Sequence, residues 1–296
     1  MKIKLETLLI IIFPLLLSAC GGGGGTSESV GRGAIVACTG DSSTYTTAEY
    51  NYMGGASGAG TGAGKYGLGT VCAGAAYARG ATGSGIDIAV LDSGISVGNG
   101  STTDVTDIDA NIATFVSGAD VVNGDSIPQD DDNNDNTAIG SGHGSHVAGL
   151  IASEKNDAGG LHGIAYDSSL HIIKVLDSNG SGTNANIASG MDLARGVSGM
   201  DIVNISIGDT SVIGSDCTSA SSCESTLGST LYTAMEALGT ADIIQVYAAG
   251  NNSDNSPTTL AGAAIYDDDF KETTIIAVAI DSTGNLASYS NKCGDA

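Results

Sequence analysis

Apolar residues fall in short, β-branched runs at residues 86–91, 170–176, 202–207, 243–248 and 274–280. Runs of this length, bounded by Gly, Ser, Asp or Asn, read as strands rather than helices. Three stretches at helical spacing, 143–153, 184–197 and 225–238, lie between most of them. Near-continuous apolar strands separated by helices predict a parallel sheet with helices on both faces, a doubly wound α/β domain. In such sheets the reactive groups gather outside the carboxyl ends of the strands. Patterned sequence begins near Ala75 and continues to Ala296, so residues 75–296 are read as the folded domain.

Ahead of that domain the pattern changes. Lys2 and Lys4 precede an apolar run at 8–17, broken by Pro14 and ending in Leu17-Ser-Ala-Cys20. The run is too short to span a bilayer and fits a secretory signal over residues 1–19. Small residues before the cysteine predict a bacterial lipoprotein signal with Cys20 lipidated, tethering the protein to a membrane without spanning it. Gly21, rather than Asp, favours passage to the outer membrane. The expected location is therefore the envelope or surface of a Gram-negative cell. Residues 20–74 open with Cys20 and five consecutive glycines and show no period of 2 or 3.6, which reads as a stalk.

Composition narrows the partners. Of 296 residues, 41% are hydrophobic, enough for a real core. Acidic residues outnumber basic ones 33 to 10, and the net charge of −23 argues against nucleic acid and anionic lipid as partners. An exported chain should pair its cysteines. Cys217 and Cys223 bracket a short loop, Cys38 and Cys72 flank the Gly-rich segment, and Cys293 is left over, as if its partner lay in sequence not present.

Three segments carry candidate chemistry: Ala89-Val-Leu-Asp92-Ser-Gly-Ile95, Gly142-His143-Gly-Ser-His-Val-Ala-Gly149 and Tyr247-Ala-Ala-Gly-Asn251. Asp92 and Asn251 sit just past predicted strands, and His143 opens a predicted helix. A carboxylate there can fix the tautomer of an imidazole, and a side-chain amide can donate to a developing oxyanion. Taken alone, Asp92 reads as a turn or cap residue, and Asn251 as part of a turn. His143 and His146 also have the spacing of a two-histidine metal pair, but the glutamate of the zinc-protease motif is absent.

In this order the three segments resemble the Asp, His and oxyanion blocks of the subtilisin-like serine proteases, with Ser145 where Thr is commoner. The resemblance implies an endopeptidase in which Asp92 orients His143, His143 accepts the serine proton and Asn251 binds the oxyanion. It extends through residues 163–182, 201–208 and 275–291. It implies peptide binding as an added strand along Ser178, Gly180 and Gly182 on one side and Ser206, Ile207 and Gly208 on the other. It also implies protein or peptide substrates and no required cofactor.

The family nucleophile lies in a Gly-Thr-Ser-x-Ala-x-Pro segment. The chain's Gly25-Thr26-Ser27 lies in the stalk without that context, so the serine is expected beyond Ala296, in a domain incomplete at its C-terminus. The Gly-rich lead, lipid signal and Ser-Asn-Lys-Cys-Gly ending are similar to autotransporter subtilases, in which a β-barrel follows the protease. The alternative is a catalytically dead surface lipoprotein that holds peptide or calcium. The run from Asp130 to Asn136 reads either as a structural calcium loop or as a solvated acidic loop.

Overall fold

The structure is a computed structural model that describes residues 67–98, 102–103, 109–130, 142–155, 162–281 and 284–293. The predicted leader with Cys20, the stalk through residue 66 with Gly25-Thr26-Ser27 and Cys38, and residues 131–136 of the acidic run lie outside the described residues.

The described elements are α1 (Gly67–Thr70), α2 (Ala73–Tyr77), β1 (Asp87–Asp92), β2 (Val97–Gly98), β3 (Thr102–Thr103), α3 (His143–Ala152), β4 (Ser169–Lys174), α4 (Asn184–Gly196), β5 (Met200–Ile205), α5 (Ala220–Leu227), α6 (Ser229–Thr240), β6 (Ile244–Ala248), α7 (Thr259–Gly262) and β7 (Thr274–Ala277). Five strands form one parallel sheet in the order β4-β1-β5-β6-β7, and β2 and β3 make a small antiparallel pair. This is the expected α/β architecture, with each large-sheet strand close to its predicted run. No described helix is long and apolar enough to cross a membrane.

Alternate residues of a strand point to opposite faces, and the two faces are covered differently. On one, Leu91, Val203, Ile205 and Tyr247 pack with Ile187 and Met191 of α4 and with Leu231 and Met235 of α6. Thr183 starts α4 by accepting a hydrogen bond from the Asn186 N–H, and the helix then buries Ile187, Met191 and Ala194 along one stripe. On the other face, Ile88, Val90, Leu170 and Ile172 pack against Ala148 and Ala152 of α3. Past β5 that covering thins, and Ile244 and Val246 of β6 are only partly buried against it. Val246, Ala248 and Ala277 are half-buried around a cavity of 240 Å³ that also touches Ser206 and Asn251.

Two expectations are corrected. The stretch 225–238 is not one helix: α5 ends and α6 begins at Gly228, whose φ of 82° and ψ of 140° interrupt helical geometry. The start of α5 was missed because its signal is a serine–serine capping box, in which Ser219 and Ser222 satisfy each other's backbone N–H. Cys217 and Cys223 pair as expected, but Cys293 is not left over: Cys72 and Cys293 are each disulfide-bonded too.

Candidate active site

β1 delivers Asp92 to its carboxyl end, and Ser93 and Gly94 turn the chain out of the sheet. His143 begins α3, whose first turn lies directly on that exit. Gly144 donates its N–H to Ser93 Oγ at 3.0 Å, and a Cβ on Gly144 would collide with the carbonyl oxygen of Gly94 and come within 3.2 Å of Asp92 Cβ. Only glycine lets helix and strand approach this closely, and the approach brings His143 Nδ1 to 2.7 Å from Asp92 Oδ1. A Gly144→Ala substitution is expected to cost about 1–3 kcal/mol of stability through overpacking. By separating the pair, it should also lower kcat/KM at least roughly 10-fold. Thermal unfolding and kinetics on one preparation check both; unchanged kinetics would mean the close approach does not set the pair.

The pair is electrostatically asymmetric. Asp92 is 1% exposed, whereas the His143 side chain is 50% exposed and opens to solvent. Oδ1 of Asp92 also accepts the Ser93 N–H at 2.7 Å, which fixes the carboxylate. The hydrogen bond that His143 donates to Asp92 holds the His143 pKa above its ordinary value, partial burial opposes the shift, and the charges of Asp92 and Asp130 add to it. With Asp92 on Nδ1, the other ring nitrogen is left to exchange a proton at the surface.

Several residues given no part in the site from sequence hold this arrangement. Lys174, opposite Asp92 in the β1–β4 register, is fully buried and donates from Nζ to the Ser93 carbonyl at 2.7 Å. Ser145 Oγ accepts the Ser96 N–H at 2.9 Å and donates to Asp130 Oδ2 at 3.0 Å, tying α3 to the segment after β1. The one legible signal was a lysine inside the apolar run Ile172-Ile-Lys-Val-Leu, since buried lysines need a partner. Asp130, counted by sequence in an acidic run, accepts a hydrogen bond from the Ser145 hydroxyl.

Asn251 follows β6 on the same edge of the sheet, exposed, with its side chain bonded to no other described residue. Beside it the chain passes from Ser206 through Ile207 to Gly208, where a Cβ would lie 4.0 Å from Gly250 Cα. The second predicted binding stretch, Ser178 to Gly182, is an exposed turn in which Asp177 Oδ1 accepts the N–H groups of Asn179 and Ser181. The structure thus bonds Asp92 to His143, sets Asn251 beside Ser206–Gly208, and places Ser178–Gly182 in a loop after β4. His146 is exposed on α3 and joins no metal-binding group among the described residues. Among those residues, the group whose carboxylate oxygens lie within 4.8 Å of one another is Glu236, Asp267 and Asp269, on α6 and the loop before β7.

The sequence pattern of the Subtilase family matches residues 83–296. Subtilisin DY of Bacillus licheniformis is 35% identical over 229 residues, covering 76% of this chain and 68% of its own length. Subtilisin Savinase of Lederbergia lenta is 34% identical over 225 residues, covering 76% of this chain and 66% of its own. For an alkaline protease of Alkalihalobacillus alcalophilus the identity is 34% over 225 residues, 76% of this chain and 47% of that protein. The chain spans about half to two thirds of the length of these relatives.

Proposed function

The chain belongs to the subtilase family of serine proteases, and from that premise we propose that its gene product is a serine endopeptidase acting on protein or peptide substrates. His143 takes the proton of the attacking serine at Nε2 and returns it to the leaving amine. Asp92 holds Nδ1–H and stabilises the imidazolium that forms. Asn251 donates from its side chain to the oxyanion of the tetrahedral intermediate. The observation that carries this reading is the 2.7 Å contact between a buried carboxylate and a half-exposed imidazole at the carboxyl edge of a parallel sheet. The serine is assigned to a Gly-Thr-Ser-x-Ala-x-Pro segment following Ala296. What supports that assignment is the resemblance of the Asp92 and His143 blocks to the family, in which such a segment carries the nucleophile.

Substrate backbone is assigned to Ser206–Gly208 and Ser178–Gly182 as an added strand. The Leu17-Ser-Ala-Cys20 pattern supports a lipid tether at the cell surface. To test the function, the gene is read past the codon for Ala296, and the full-length product is treated with a fluorophosphonate and assayed on peptide substrates. Labelling of one serine together with hydrolysis, both lost in His143→Ala, is expected. A folded full-length product that neither labels nor cleaves overturns the proposal.

The pH dependence follows from the same pair. A general base must be neutral, so kcat/KM falls as pH drops through the His143 pKa. Because that pKa is raised, the acid limb should lie above the ordinary histidine value of 6.5. Asp130 is among the causes of the shift, so Asp130→Asn should move the limb downward while the upper pH plateau persists. An unmoved limb would remove Asp130 from the electrostatics of the site.

A further inference from the structure

The turn carrying Asn251 does not hold its shape by itself. Ser253 sits at φ 61°, a left-handed conformation that is strained for a residue other than glycine. Such a conformation persists only where surrounding contacts over-determine it, and those contacts come from residues 288–292. The Ser253 N–H donates to the Tyr289 carbonyl at 2.9 Å, and Ser253 Oγ donates to the Ser288 carbonyl at 2.8 Å. The Lys292 N–H donates to the Asp254 carbonyl at 2.9 Å.

At the centre of this clamp is Asn291, fully buried. Its Oδ1 accepts the N–H of Asn252 at 2.8 Å and that of Asp254 at 3.1 Å, one on each side of the strained serine. Its own N–H donates to the Gly250 carbonyl at 2.9 Å. Its Nδ2 has no acceptor among the described residues and lies so close to Gly250 that a Cβ there would approach to 2.5 Å. Asn291 therefore touches the chain immediately before and immediately after Asn251.

We propose that Asn291 is the positioning residue for the oxyanion donor: by bonding both flanks of the turn it fixes where the Asn251 side chain points. The inference rests on the proposed role of Asn251. A donor helps only if it is aimed at the oxyanion before the charge appears, since a side chain that must reorganise gives up most of its advantage. Asn251 itself is exposed and unanchored, so its aim is inherited from its backbone. Losing the clamp should lower the rate of the chemical step and leave substrate binding largely intact, the signature of a group that acts only on the transition state.

The test is a double-mutant cycle on the full-length gene product, with peptide hydrolysis, thermal unfolding and amide hydrogen exchange measured together. Asn291→Ala should lower kcat roughly 10- to 100-fold, with KM changed less than about 2-fold. In an Asn251→Ala background the same change should lower kcat by less than about 2-fold, because there is no donor left to aim. Exchange at the Asn252 and Asp254 amides should accelerate. Asn291→Ser keeps a shorter acceptor and runs through the same cycle if the alanine variant does not fold; a smaller loss, again absent without Asn251, is expected. An equal kcat loss in both backgrounds, or a loss confined to KM or to the melting temperature, overturns the positioning role. If Asn251→Ala alone leaves kcat unchanged, the oxyanion reading falls first, and this inference with it.

Discussion

Asn in place of Asp92 is expected to lower kcat of the full-length product about 10⁴-fold, with KM and melting temperature close to those of the parent. The substitution conserves volume at a site that is 1% exposed, so packing against Ser93 and α3 has no reason to change. What changes is the answer to the His143 Nδ1 proton. If the amide oxygen takes the place of Oδ1, it still accepts from Ser93 and His143, but a neutral group no longer stabilises the imidazolium. In that orientation the new NH₂ occupies the position of Oδ2, which has no hydrogen-bond partner among the described residues. If the amide turns the other way, NH₂ faces Nδ1, and the ring must carry its proton on Nε2, where it cannot accept one from a serine.

The pH profile provides a second reading. The Asp92 hydrogen bond is the largest cause of the raised His143 pKa, and burial acts against it. Without the carboxylate the residual activity should therefore keep its plateau to lower pH. A variant that retained more than about a tenth of parental kcat would show that Asp92 is not the orienting acid, given the far larger loss this role implies.

Asp92 and His143 were legible in the sequence because their surroundings are local and patterned. An apolar run stops at an acid followed by Ser-Gly, and a histidine between glycines opens a run at helical spacing. The sheet was legible for the same reason, since buried parallel strands leave unbroken β-branched runs. The Gly228 break was not, because a glycine amid helix-forming residues carries no periodic signature, and its φ is set by how α5 and α6 pack. The supports of the site were harder still. Ser93, Ser145, Asp130 and Asn291 act through side-chain bonds to backbone or hydroxyl groups that are distant in sequence. A buried asparagine accepting two N–H groups looks, in one dimension, like any asparagine in a turn. Cys293 misled for a related reason, because the order of cysteines along a chain does not say which of them the fold pairs.

Asn251→Ala should separate catalysis from stability more cleanly than any other change in the site. The side chain is exposed and bonds to no other described residue, so truncation leaves no buried group unpaired. Stability should stay within about 0.5 kcal/mol of the parent. The backbone at this point is set by its neighbours: Gly250 holds φ 112°, and the amides that follow are held by Asn291. The turn therefore keeps its shape when the amide is removed. In the transition state the loss is large, because a donor held in place beforehand stabilises the oxyanion without reorganising, and nothing else in the turn replaces its side chain. The expected fall in kcat is roughly 10²–10³-fold with KM nearly constant, the range known for loss of this donor in subtilisin itself. Asn251→Asp should fall further, since a carboxylate there repels the charge that the amide attracts, and the gap between the two variants should narrow as added salt screens the repulsion. If instead Asn251→Ala raised KM and spared kcat, the amide would be a ground-state contact to substrate, and the oxyanion would have to be held by backbone N–H groups alone.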